Sequence, residues 1–132
     1  MESNKAREPS GNIEPVTVIR TALRNSVRGF VDQSIGIFDS FTTAPESWKS
    51  LCKKKIAGYA QENLLKMEYM APVLAGSNYT TTVSKFVSVL EDALASSKGA
   101  KSIHESLQIM DAGFNKALQI LEKRNKELIF RR

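Results

Sequence analysis

"SIHESLQIMDAGFNKALQILEKRNKEL", residues 102–128, decides the fold class. Ile103, Leu107, Met110, Phe114, Ala117, Leu121 and Leu128 recur at steps of three, four and seven. That spacing lays them along one face of an α-helix, whereas a strand would alternate every second residue. Ser102 stands three residues before Glu105, the arrangement in which a hydroxyl and a carboxylate satisfy the free N–H groups of a first helical turn. The repeat is close to a heptad. Ile103, Leu107, Met110, Phe114, Leu121 and Leu128 therefore form a candidate oligomer seam, broken only near Asn125.

Working outward, the same period appears three more times. Tyr79, Val83, Phe86, Leu90 and Leu94 mark a third helix, after the stop at Gly76, Ser77 and Asn78, with Gly99 suited to a left-handed cap at its end. A second helix carries Trp48, Cys52, Ile56, Tyr59, Met67 and Met70. Thr43 and Glu46 offer it a capping box with Pro45 in the first turn, and Pro72 predicts a kink near Tyr69 to Ala71. The first helix begins at Pro15 after Glu14 and shows Val16, Ile19, Leu23, Val27, Phe30, Ile37, Phe38 and Phe41. Gly29 and Gly36 weaken it, so it needs a partner surface.

The fold class is all-α, with four amphipathic helices. Short connections predict antiparallel neighbours. An antiparallel bundle and a coiled-coil-like body with a detachable first helix both fit the pattern. Residues 1–13, rich in charges and turn formers, read as a flexible N-terminal arm, and residues 14–132 as one helical domain.

Composition narrows the chemistry. The 132 residues are 42% hydrophobic and 25% charged, ordinary values for a globular chain of one domain. Nineteen Lys and Arg against fourteen Asp and Glu give a mild excess of +5, which favours anionic partners without requiring them. Cys52 and His104 are the only residues of their types, too few for a Cys/His zinc site. Cys52 lies on an apolar stripe and reads as a small buried hydrophobe, while His104 falls in a first helical turn as a surface or packing residue. Glu91 and Asp92 are adjacent, and Glu62 and Glu68 six apart, so neither pair converges on one substrate. With no glycine-rich phosphate loop either, no enzyme, metal or cofactor is expected. The N-terminus lacks an apolar signal core and no apolar run approaches bilayer length, which points to a cytoplasmic protein without a transmembrane segment.

What remains is surface. At roughly 100° per residue the first helix gathers a wide apolar arc, giving Ile19, Leu23, Val27, Phe30, Phe38 and Phe41 as candidate contacts to an apolar polymer or lipid-like surface. Arg20, Arg24 and Arg28, four residues apart, drift outward along one border of that arc. Long guanidinium stems can lie on apolar surface while their charge reaches an anion, so these three are candidate anionic contacts. The same pattern equally suits an arc docked inside a bundle, with the arginines covering its seam. Lys53, Lys54 and Lys55 spread over a helical turn and read as a solvated face, and Met67 and Met70 as adaptable core. A homo-oligomer or a helical protein partner is expected through the fourth-helix seam. No specific nucleic-acid interface is expected, since no recognition helix or stacking sheet is recognisable.

From "WKSLCKKKIAGYAQENLLKMEYMAPVLAGS" to "AKSIHESLQIMDAGFNKALQILEKRNKELI", over residues 45–130, the chain resembles the phasin family, small helical proteins that coat bacterial polyhydroxyalkanoate granules. The likeness lies in the order of features: a "YAQENL" helix, a further amphipathic segment, an "AKS" helix start, and a final helix carrying Ser106, Leu107, Asp111 and Phe114 before a terminal "EL". The chain is less alanine-rich than a usual member and adds Pro72 and an aromatic first helix. The resemblance implies a non-enzymatic coat on the granule surface, with apolar faces on the polymer and charged faces toward the cytoplasm.

Overall fold

The computed structural model describes residues 14–130; the expected N-terminal arm lies outside the described residues. Four helices follow one another: α1 (Pro15–Asp39), α2 (Glu46–Leu74), α3 (Tyr79–Lys98) and α4 (Ile103–Phe130). They pack as a four-helix bundle.

The order around the bundle corrects the expectation of antiparallel neighbours at every connection. α1 packs on α2 and α3, and α4 packs on α3 and α2, whereas α2 and α3 stand on a diagonal. Residues 75–78 therefore carry the chain across the bundle rather than to an adjacent corner. Side-chain pairs fix the directions. Arg24 meets Glu68 and Asp39 meets Lys53, so α1 and α2 are antiparallel. Trp48 meets His104 and Tyr59 meets Phe114, so α2 and α4 run parallel.

The core is apolar and aromatic. Phe30, Phe38, Phe86 and Phe114 are fully buried, with Phe30 and Phe114 ring centroids 5.6 Å apart. Interdigitation is tightest between α3 and α4, where a Cβ added at Gly113 would lie 2.3 Å from the Ala93 Cβ. Only glycine lets the helices approach that closely here. Two of the three buried serines return their hydroxyls to their own helices, Ser34 donating to the Phe30 carbonyl at 2.7 Å and Ser97 to that of Leu94 at 2.8 Å, while the Ser106 hydroxyl on α4 has no partner among the described residues. These bonds satisfy polar groups that would otherwise oppose burial.

Helix ends depart from the expected signals in instructive ways. Pro45, rather than Thr43, is the N-cap of α2 and makes no side-chain capping bond, because the turn over residues 42–44 ends too late for Thr43 to reach the first turn. Glu105 N–H does bond the Ser102 hydroxyl at 3.1 Å, but the Glu105 carboxylate takes the N–H of Lys101 at 2.6 Å, one residue before the cap. Gly99 has φ −90°, so α3 ends right-handed and not in the left-handed cap expected of a glycine. α4 stays helical through Asn125 to Phe130.

α2 also remains helical through Pro72 to Leu74, and the reason is local. Proline has no N–H, so the carbonyl four residues earlier, at Glu68, loses its helical donor. The Arg20 guanidinium donates to that carbonyl from α1 at 3.4 Å, and Arg24 Nε pairs with the Glu68 carboxylate at 2.5 Å. Two of the three aligned arginines thus repair and hold the segment that Pro72 weakens.

Candidate functional site

The apolar arc of α1 is core. Ile19, Leu23, Val27, Phe30 and Phe38 are all buried, and Phe41 is partly buried against them. Helix α1 is docked, pinned near one end by Arg24–Glu68 and near the other by Asp39–Lys53, whose charged atoms are 2.6 Å apart. Arg28 is exposed and lines a small cleft with Arg24, Asp32 and Gln61 on the α1–α2 border. The candidate surface-binding residues of α1 are therefore unavailable to an outside partner while the bundle is closed.

The fourth-helix seam is likewise occupied within the chain. Ile103, Met110, Phe114 and Leu121 are buried, and Leu107 and Leu128 are half-buried against the same core. A second copy cannot use that face without opening the bundle.

The outward apolar surface lies instead on α2. Its buried residues are Lys49, Cys52, Ile56, Ala60, Asn63, Met67, Met70, Ala71 and Leu74. Lys49 replaces the expected Trp48 on the inner face: Trp48 is 46% exposed and packs its ring on His104, centroids 4.8 Å apart. Opposite the core stand Leu51, Leu65 and Tyr69, exposed by 48%, 58% and 84%. Leu51, Gly58, Leu65 and Pro72 are each seven residues apart, so they form a nearly straight ridge along the helix. Lys54 and Glu62 flank Gly58 on that ridge. α2 thus carries large apolar side chains opposite its core face as well as on it, the outer ones separated by Lys54, Gly58 and Glu62, and it is the least amphipathic of the four helices by pattern.

A second apolar group sits where α1 begins and α2 and α4 end. There Val18, Ile129 and Phe130 are exposed, Phe130 by 82%, at the pole toward which Tyr69 lies.

An open groove of about 590 Å³ between α2 and α4 is lined by Lys55, Tyr59, Gln108, Asp111, Ala112 and Asn115, and a smaller cleft between α3 and α4 is lined by Thr82, Lys85, Lys123, Arg124 and Glu127. Tyr59 donates its hydroxyl to Asn115 Oδ1 at 3.4 Å. Burial pushes the Asp111 carboxyl above the usual carboxylate range, while the Lys55 charge opposes that rise. Burial also raises Tyr59, helped by the charge of Asp111 and, less, of Glu122 and Glu62. The Cys52 thiol is buried and its pKa is raised chiefly by that burial, with Lys55 lowering and Asp111 raising it, which opposes thiolate formation. The groove can hold hydrogen-bonding groups, but it brings no activated nucleophile to a base.

The lysine run divides in three directions. Lys53 pairs with Asp39, Lys54 faces outward on the ridge, and Lys55 borders the groove. Among the described residues no group of three or more His, Cys, Asp or Glu is placed to hold a metal, and no helix is long and apolar enough to cross a membrane.

The ridge of α2 is hard to read from the sequence because a helix with one apolar stripe is the usual pattern, and α2 has large apolar residues on both sides. Its signal was present in the seven-residue steps from Leu51 to Pro72, obscured by the stripe on the opposite side. No protein-family model, curated protein or solved structure matches the chain.

Proposed function

We propose that this chain is a non-enzymatic helical coat protein that adsorbs to an apolar or lipid-like surface, and that the surface is that of a polyhydroxyalkanoate storage granule. The observation that carries the reading is the outer side of α2, with Leu51, Leu65 and Tyr69 turned to water while the inner face fills the core. The exposed Val18, Ile129 and Phe130 extend apolar contact at the Tyr69 pole. The resemblance over residues 45–130 supplies the granule. Covering the exposed half of each leucine stabilises adsorption by on the order of 1 kcal/mol before ordering costs, and salt does not screen this term. Charged side chains around the ridge add less, and salt screens them.

The test is co-sedimentation with polyhydroxyalkanoate particles. The wild-type chain is expected to stay bound at about 1 M salt, where the Debye length falls to roughly 3 Å. The triple variant Leu51→Ser, Leu65→Ser, Tyr69→Ser is expected to keep its helical circular dichroism and thermal midpoint yet lose most adsorption. A folded triple variant that binds like wild type removes the reading.

A second reading, an adaptor that docks a partner helix, is favoured by the seven-residue spacing of Leu51, Gly58, Leu65 and Pro72. It predicts capture of one defined protein and indifference to bare polymer.

A further inference from the structure

Gly58, like Gly29 and Gly36 of α1, is a helix-interior glycine with open space around it; what sets it apart is its place on the α2 ridge midway between Leu51 and Leu65. It lies mid-helix in α2, exposed, and a Cβ built there meets nothing within 4 Å. Glycine is the least favourable helix-interior residue after proline, so a site with room for any side chain gains nothing internally from having none. The side chains around it are arranged symmetrically. Leu51 stands seven residues before Gly58 and Leu65 seven after; Lys54 stands four before and Glu62 four after; Lys55 and Gln61 stand three to either side.

We propose that the outer face of α2 docks a second copy of this chain, the two helices crossing antiparallel about a two-fold axis at Gly58. A two-fold axis between antiparallel helices pairs residues equally far before and after the crossing point. Leu51 then meets Leu65 of the partner subunit, and Lys54 meets Glu62 of the partner subunit, each pair occurring twice. Gly58 meets the partner's Gly58 at the point of closest approach, where a missing side chain lets the backbones come together. A parallel pairing would set Lys54 on the partner's Lys54 and Glu62 on the partner's Glu62, so the charges select the antiparallel arrangement.

From Leu51 to Leu65 the ridge runs about 21 Å, at 1.5 Å per residue. One helix crossing of that length sits at the small end of specific interfaces, so a concentration-dependent dimer is expected rather than a permanent one. The pairing shares its face with the proposed coat function but does not rest on adsorption. A copy seated on the ridge covers Leu51 and Leu65 until an apolar surface displaces it.

Sedimentation equilibrium of the full chain, from roughly 1 to 100 μM, tests the pairing. The wild type is expected to pass from monomer to dimer in that range. Lys54→Glu and Glu62→Lys each turn two attractive pairs into repulsive ones, raising the dissociation constant about tenfold or more. An equimolar mixture of these two variants restores opposite charges at both pairs and is expected to dimerise again. Gly58→Gln blocks the crossing point while leaving the helical circular dichroism intact, and is expected to remain monomeric. A wild-type chain monomeric at about 100 μM overturns the pairing, as do a dimer indifferent to these variants and a mixture that fails to recover. Polymer binding by Lys54→Glu reports on the coat function separately, because adsorption uses the ridge and not its symmetry.

Discussion

Helix α1 and helix α2 each carry a row of large apolar side chains, and the bundle treats the two rows oppositely. Ile19, Leu23, Val27 and Phe30 of α1 are covered, while Leu51, Leu65 and Tyr69 of α2 face water. The difference comes from neighbours rather than from hydrophobicity. α1 has one apolar stripe and must bury it; α2 has large apolar side chains on two sides, and a bundle corner can cover only one.

Substitutions on the two helices should separate these roles. Replacing Leu23, Val27 and Phe30 together with glutamine removes about 2–5 kcal/mol at each aliphatic or aromatic site, which exceeds the stability of a domain this size. The variant is expected to be unfolded by circular dichroism at room temperature, whereas the α2 triple variant is not. Equal loss of helicity in both would erase the contrast.

Two glycines sharpen it further. Gly113→Ala drives a methyl into Ala93 and is expected to cost about 1–3 kcal/mol in urea unfolding, recovered in part by Ala93→Gly. Gly58→Ala meets nothing and, in dilute solution, is expected to stabilise the monomer by up to about 1 kcal/mol.

The smallest effect belongs to the groove, which is neither core nor open face. The Asp111 carboxyl is raised by burial, so the folded state holds its proton more tightly than the unfolded chain does. Its contribution to stability is full in acid, below the unfolded value, and is lost as pH rises through the folded value. Asp111→Asn is therefore expected to raise the thermal midpoint by about a degree or two at neutral pH and to lose that advantage in acid.

The helices themselves were legible because burial enforces a three-to-four period over many turns, as from Ile103 to Leu121. The long-range terms were not. Thr43 and Glu46 have the spacing of a capping box, but the path of the preceding turn decides whether Thr43 can reach. Arg20, Arg24 and Arg28 border an apolar arc in any helix of this sequence; that Arg20 meets the one carbonyl orphaned by Pro72 depends on how α1 registers against α2. The ridge of α2 was present as a pattern, but only three-dimensional packing shows which stripe is left outside. Trp48 shares the spacing of the apolar stripe with Cys52 and Ile56, yet Lys49 takes the inner position and the indole lies on His104.

The diagonal placement of α2 and α3 has a kinetic consequence. Residues 75–78 join opposite corners, so the sequence-local contacts are those of α1 with α2 and of α3 with α4, and these two hairpins are expected to close before they dock. Only the meeting of the two hairpins demands a long-range encounter, and loop closure governs its entropy. The hairpin contacts are local, as in helical bundles that fold fast, so a half-assembled apolar interior is expected to be short-lived and to have little time to find another chain.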